Sequence, residues 1–115
     1  MIGIALAAAL ALAPQQSLSG SSNALTEADF RCYAAGVVMA GVSGDNEEML
    51  NAAGLIAFYY LGRLEGREPD VDWIEQGIKV GNAQPDLLMA ELARCGTEFE
   101  AKGKAMVDKG TATES

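Results

Sequence analysis

The sequence predicts an all-α fold: a small four-helix orthogonal bundle with one disulfide joining its first and last helices. Three observations carry that prediction. Apolar residues recur at three-to-four spacing in successive segments, and no segment alternates as a strand would. Two cysteines, Cys32 and Cys95, fall on the apolar stripes of the first and last helical segments. The 115 residues are half apolar, enough for one small domain with a modest core. There is no internal repeat and no second-domain boundary, so the chain divides into residues 1–24, a helical domain at 25–109 and a polar tail at 110–115 that is expected to be disordered.

Residues 1–24 read as a signal peptide followed by a short polar linker. Residues 2–13 form an almost unbroken Ala/Leu/Ile run closing on Ala11-Leu12-Ala13, the length of a leader's apolar core ending in an A-x-A-like site. The run is shorter than the roughly 20 apolar residues that cross a bilayer, so no membrane insertion is expected once it is removed. Pro14 is a poor first mature residue, no Lys or Arg precedes the run, and a second cleavage position lies near Asn23-Ala24. A buried N-terminal helix is the alternative, but the run lacks a polar face and the Ser-rich stretch 15–23 carries no core pattern. A periplasmic or secreted location follows as the expectation.

Every charge lies at or beyond Glu27, so the net charge of −8 stays with the domain when the leader goes. An acidic domain of this kind repels nucleic acid and anionic membranes, and no nucleic-acid partner is expected.

The first helix is expected over 27–42, with Thr26 as its cap and Glu27 and Asp29 complementing its positive end. Ala28, Cys32, Ala35 and Met39 repeat along one stripe, widened by Phe30, Tyr33, Val37 and Val38. Ser43-Gly44-Asp45-Asn46 makes a turn. The second helix is expected over 47–64, where Met49, Ala52, Ala53, Ile56 and Tyr60 form one stripe while Leu50, Leu55, Phe58 and Leu61 cover much of the rest. A helix apolar on most sides is either central in its domain or part of an interface. Gly54 and Gly62 each cost about 1 kcal/mol of helix propensity against alanine, and close approach of a neighbouring helix is the expected offset.

Residues 65–70 form the next break. Asp72 and Glu75 have the spacing of a capping box at the start of a short third helix carrying Trp73, Ile74 and Ile78. Residues 81–84 end it, and Pro85 suits the first position of the last helix, where its missing N–H has no partner to lose. That helix has the clearest register in the chain, through Leu88, Leu92, Cys95, Phe99 and Met106, with Lys102 filling one step by its aliphatic stem.

An even cysteine count in a short exported chain points to a disulfide, and two cysteines allow one internal connectivity. A Cys32–Cys95 bond spans 63 positions and would stabilise the fold by roughly 4 kcal/mol in the chain-entropy model. Two buried free thiols are the alternative. A redox or metal pair has less behind it: there is no C-x-x-C beside a βαβ pattern, no zinc-type spacing and no histidine.

No catalytic residues stand out. Without histidine the commonest general base and the Ser-His and Cys-His arrangements are missing, and there is no G-x-S-x-G, P-loop or dinucleotide fingerprint. The close carboxylate pairs Glu47/Glu48, Asp70/Asp72 and Glu98/Glu100 diverge on a helix. Glu65, Glu68, Asp70 and Asp72 lack the ligand order of an EF-hand loop and read as solvated or capping groups. Tyr59, Tyr60 and Trp73 read as core packing before they read as a pocket. No enzyme activity, metal or cofactor is expected.

In layout the chain resembles the HdeA-like family of small periplasmic acid-stress chaperones. The features that carry this are the apolar helix through Phe58 and Leu61, Pro69-Asp70, the short helix through Ile74 and Ile78, Pro85, Cys95, Phe99 and the Lys102/Lys104 end. Cys32 stands beside Asp29-Phe30 near the start of the folded region. The segment between the cysteines is longer here and the lysine-rich end thinner. The resemblance implies an all-helical, single-disulfide periplasmic protein that pairs as a homodimer at neutral pH and releases client-binding monomers in acid. With 16 carboxylates and 8 basic groups, the charge would swing from −8 to about +8 as carboxylates titrate near pH 4. The apolar surface expected to bind protein is Met49, Ala53, Ile56, Tyr59 and Tyr60. A competing expectation is a periplasmic inhibitor or immunity protein of the Rap1a/Tai-like kind, using the acidic surface against a basic partner. An envelope protein with neither role is the third.

Overall fold

The computed structural model describes residues 17–114; the apolar run 2–13 and the expected cleavage site after Ala13 lie outside them. The described chain is helical throughout, without a strand: α1 (Ala24–Val42), α2 (Glu47–Arg67), α3 (Trp73–Ala83), the single-turn α4 (Pro85–Met89) and α5 (Leu92–Glu114). The four-helix bundle expected from the sequence is there, with its last helix divided. Pro85 opens α4 as anticipated, but the chain turns at Ala90-Glu91 before α5 begins. No Gly or Pro marks that turn. It lets Leu88 reach the core while bringing Cys95 opposite Cys32.

α1 is the central helix, with every residue from 29 to 36 buried. Its cap is Asn23 rather than Thr26: the Asn23 side chain accepts from the N–H groups of Leu25 and Thr26. α2 runs antiparallel to α1, and a β-carbon at Gly36 would stand 3.1 Å from that of Ala57. Glycine at position 36 thus permits a close α1–α2 approach. Among the described residues the expected close approaches at Gly54 and Gly62 are absent, because nothing there lies within 4 Å of a β-carbon at either position. α2 also continues past the expected break, through Gly66, and stops just ahead of Pro69, as the steric restriction on a pre-proline residue requires.

α3 starts where its capping signal lies, with the Asp72 carboxylate accepting from Glu75 N–H at 3.1 Å. It packs on α1 at Gly77, where the Tyr33 ring occupies the space a β-carbon would need. Trp73 is buried against Phe30 at 5.7 Å between ring centroids, and its indole N–H donates to Glu68 O at 3.0 Å.

Cys32 and Cys95 are bonded, both fully buried, with 5.5 Å between their Cα atoms. Past Phe99, α5 leaves the body of the domain. Residues 100–111 are all exposed, including Met106, which the register had placed on the buried stripe. Helix continues through 110–114, where a disordered tail is expected from composition.

Candidate functional site

Two regions of the bundle differ in how their side chains are satisfied. The first is a set of charges clamped around the N-terminal half of α1. Asp29 is only 3% exposed, and one of its oxygens accepts from Arg63 Nε at 3.0 Å and Arg67 Nη2 at 2.9 Å, tying α1 to the far end of α2. Arg67 also donates to the hydroxyl of Thr26, which explains why this residue is buried rather than capping. Arg63 donates on to Tyr59 Oη at 3.0 Å and lies over the Tyr59 ring. On another side of α1, Arg31 bridges Glu27 at 2.8 Å and Glu91 at 3.2 Å, joining α1 to the turn before α5.

Glu27 gathers more partners than any other carboxylate here. Its oxygens accept from the backbone N–H groups of Leu18 and Ser19, from the hydroxyls of Ser17 and Ser19, and from Arg31. Burial alone would raise its pKa, but the bonds from Ser19, Leu18 and Arg31 outweigh that and hold it at about 2. The Ser-rich stretch expected as a linker is therefore folded onto the domain from Ser17 onward. Leu18 and Ser19 are buried, and Gln76 on α3 donates to Ser19 O at 2.8 Å. Gly20, with φ of 78°, supplies the left-handed turn that this loop needs.

Arg63 and Tyr59 also line a depression of about 330 Å³ with Glu98 and Lys102. Among the described residues, no group of three or more His, Cys, Asp or Glu side chains is placed to hold a metal ion. Tyr60 and Trp73 are core residues, and Tyr60 Oη donates to Cys95 O. Burial, with Glu98 nearby, pushes the Tyr60 phenol up, away from any role as a base near neutrality.

The second region is apolar and open. α1, α2 and α3 leave a groove of about 330 Å³ between them. Its floor is small, with Gly36, Ala40, Ala53, Gly54 and Ala57, and its rim carries Phe58, Ile74 and Ile78. Phe58 is 76% exposed, and Leu55, Ile74 and Ile78 are each about half exposed or more. A second depression adjoins it through Val37 and Ile78 and extends the apolar face to Val42 and Pro85.

This corrects the surface expected from the sequence. Of Met49, Ala53, Ile56, Tyr59 and Tyr60, the structure buries Ala53, Ile56 and Tyr60 in the domain's own core and leaves Met49 and Tyr59 half-buried. Those residues form the stripe of α2 that seats against α1. Of the other apolar residues of α2, Leu50, Leu55 and Phe58 are exposed, whereas Leu61 joins the core. Ile74 and Ile78 on α3, not counted in that expected surface, are exposed as well. The signal available was an excess: α2 has two apolar stripes, and one neighbouring helix can cover only one.

No family model, curated protein or solved structure matches this chain.

Proposed function

We propose that this is an exported, non-enzymatic protein that binds other proteins through the apolar face formed by α1, α2 and α3. One observation carries the proposal: large apolar side chains, led by Phe58, stand exposed around a groove whose floor is glycine and alanine. Contiguous apolar patches of this kind mark interaction sites on single domains. A groove with a small-residue floor and an aliphatic rim suits an apolar or amphipathic segment laid along it. Gly54 supports the same function, since its cost to the helix is not offset by close packing among the described residues. Export is supported by the leader-like run and by the buried Cys32–Cys95 bond, which persists in oxidising compartments.

In its specific form the function is that of an acid-stress chaperone, in line with the HdeA-like layout. At neutral pH a second copy covers the face, and in acid the swing toward +8 separates the copies and leaves the face to unfolding clients. The disulfide would keep the charged region assembled while that happens.

The test is suppression of client aggregation at pH 2.5 and at pH 7, beside light scattering and ANS binding over the same range. Dissociation, dye binding and protection that grow together in acid support the chaperone. An assembly unchanged to pH 2.5 removes the acid step. Equal protection by Phe58→Ser and the parent chain removes the apolar face as the binding site.

A further inference from the structure

We infer that the mature protein keeps residues 17–23, so leader cleavage falls on the N-terminal side of Ser17 and the candidate position near Asn23-Ala24 is not used. The inference rests on the exported reading above and assigns a processing site within it. Cleavage positions on the apolar run and near Asn23-Ala24 are both legible in the sequence, and composition does not separate them. The folded domain does, because one of them would cut away part of its own structure.

Cleavage before Ala24 would remove four things together. Asn23 would go, and with it the side-chain acceptor for the N–H groups of Leu25 and Thr26 at the start of α1. Leu18 and Ser19, both buried, would leave their places exposed. Gln76 on α3 would lose its 2.8 Å bond to Ser19 O, the direct tie between the loop and α3. Glu27 would lose two backbone and two hydroxyl donors and keep Arg31 alone among these partners. The loop is also shaped for its place. Gly20 takes a left-handed φ of 78°, and Ser19 and Ser21 make further bonds within the loop.

Cleavage after Ala13 retains all of this, with Pro14, Gln15 and Gln16 preceding it in the sequence. Cleavage after Ala11, which also follows an A-x-A-like triplet and avoids proline as the first mature residue, retains it too. Both place the protease on the apolar run and away from the folded loop.

The experiment has two arms. The native protein, isolated from its natural source, is analysed by N-terminal sequencing and by intact mass with and without reductant. A first residue from Leu12 to Ser17 with an oxidised cysteine pair is the expected result. A first residue between Leu18 and Leu25 overturns the inference while leaving export standing. An intact leader on reduced cysteines overturns export itself, and an intact leader on an oxidised pair overturns the processing step alone.

In the second arm, chains beginning at Pro14 and at Ala24 are compared by thermal denaturation and by NMR titration of Glu27. The shorter chain should melt roughly 10 °C lower. Its Glu27 should titrate upward from about 2 toward the ordinary 4.5. If the two chains melt within about 2 °C of each other and Glu27 titrates alike, the loop is dispensable and the inference fails.

Discussion

The N-terminal half of α1 and the groove beside its C-terminal half are built from the same three-helix contact, yet they end in opposite states. Around residues 26–32 the polar groups find partners: Asp29 holds two arginines, Glu27 holds a loop and Arg31, and Cys32 is bonded to Cys95. Around residues 36–42 the helices approach through glycine and alanine, and large side chains are left at the rim without cover. Small residues allow close approach, but they fill little volume. The charged region is thereby closed and stability-bearing, whereas the apolar region has contact surface to spare. Closed polar packing and exposed apolar surface are separated along one helix.

The comparison can be broken most forcefully at the disulfide. Cys95→Ser should cost roughly 4 kcal/mol, because the lost link closes a loop spanning 63 positions. A loss of this size is a large part of a small domain's stability, so the variant should melt at least about 15 °C lower or fail to fold. Thermal circular dichroism with and without reductant measures it, and a shift of only a few degrees would show that helix packing alone closes this region.

Next comes Asp29→Ala, which leaves Arg63 and Arg67 without their shared carboxylate. Breaking a fully buried pair costs about 3–5 kcal/mol, but both arginines reach solvent in part, so about 2 kcal/mol is expected. Urea denaturation measures this, and Arg63→Ala in the same background should add only what its contact with Tyr59 contributes, because its bond to Asp29 is already gone.

Glu27 gives a smaller, pH-dependent effect. Its folded pKa of about 2 lies below its ordinary 4.5, so its contribution is complete above pH 4.5 and is lost as pH falls through 2. Allowing for solvent screening at a partly exposed group, about 1–2 kcal/mol should disappear across that window. Glu27→Gln should lower stability at pH 7 and flatten the acid limb of the stability profile. An unchanged acid slope would mean that other carboxylates set it.

The smallest effect is expected in the open region. Phe58→Ser removes an exposed ring and should change stability by less than about 0.5 kcal/mol. It should nonetheless reduce client protection or self-association several-fold, as truncation of an aromatic anchor does at interfaces. A Phe58→Ser chain that is clearly destabilised would show that the face is core and not surface.

How much of this could be read beforehand depends on the range of the interaction. Asp72 and Pro85 signal helix starts through contacts within one turn, and both are where the sequence puts them. Thr26 is expected as the cap of α1, but the structure gives that role to Asn23. What separates them is Arg67, 41 residues away, which takes the Thr26 hydroxyl. The Ser-rich loop looked like a linker because its acceptor is a single carboxylate on α1 and its anchors lie on α3. Likewise, periodicity showed that α2 has two apolar stripes but carries no information about which of them a partner helix will cover.

By itself, then, the sequence determined the helical class, the approximate positions of the helices, the cysteine pairing and the acidic charge. Each follows from residue spacing, from composition or from having just two thiols to join. Only the tertiary structure decided that α1 is the centre, that residues 17–23 belong to the fold and that Phe58, not Tyr60, meets solvent. Those outcomes depend on which helix faces approach across long sequence separations, where a few small residues and a few long-range charge pairs select one packing among several that the same apolar pattern allows.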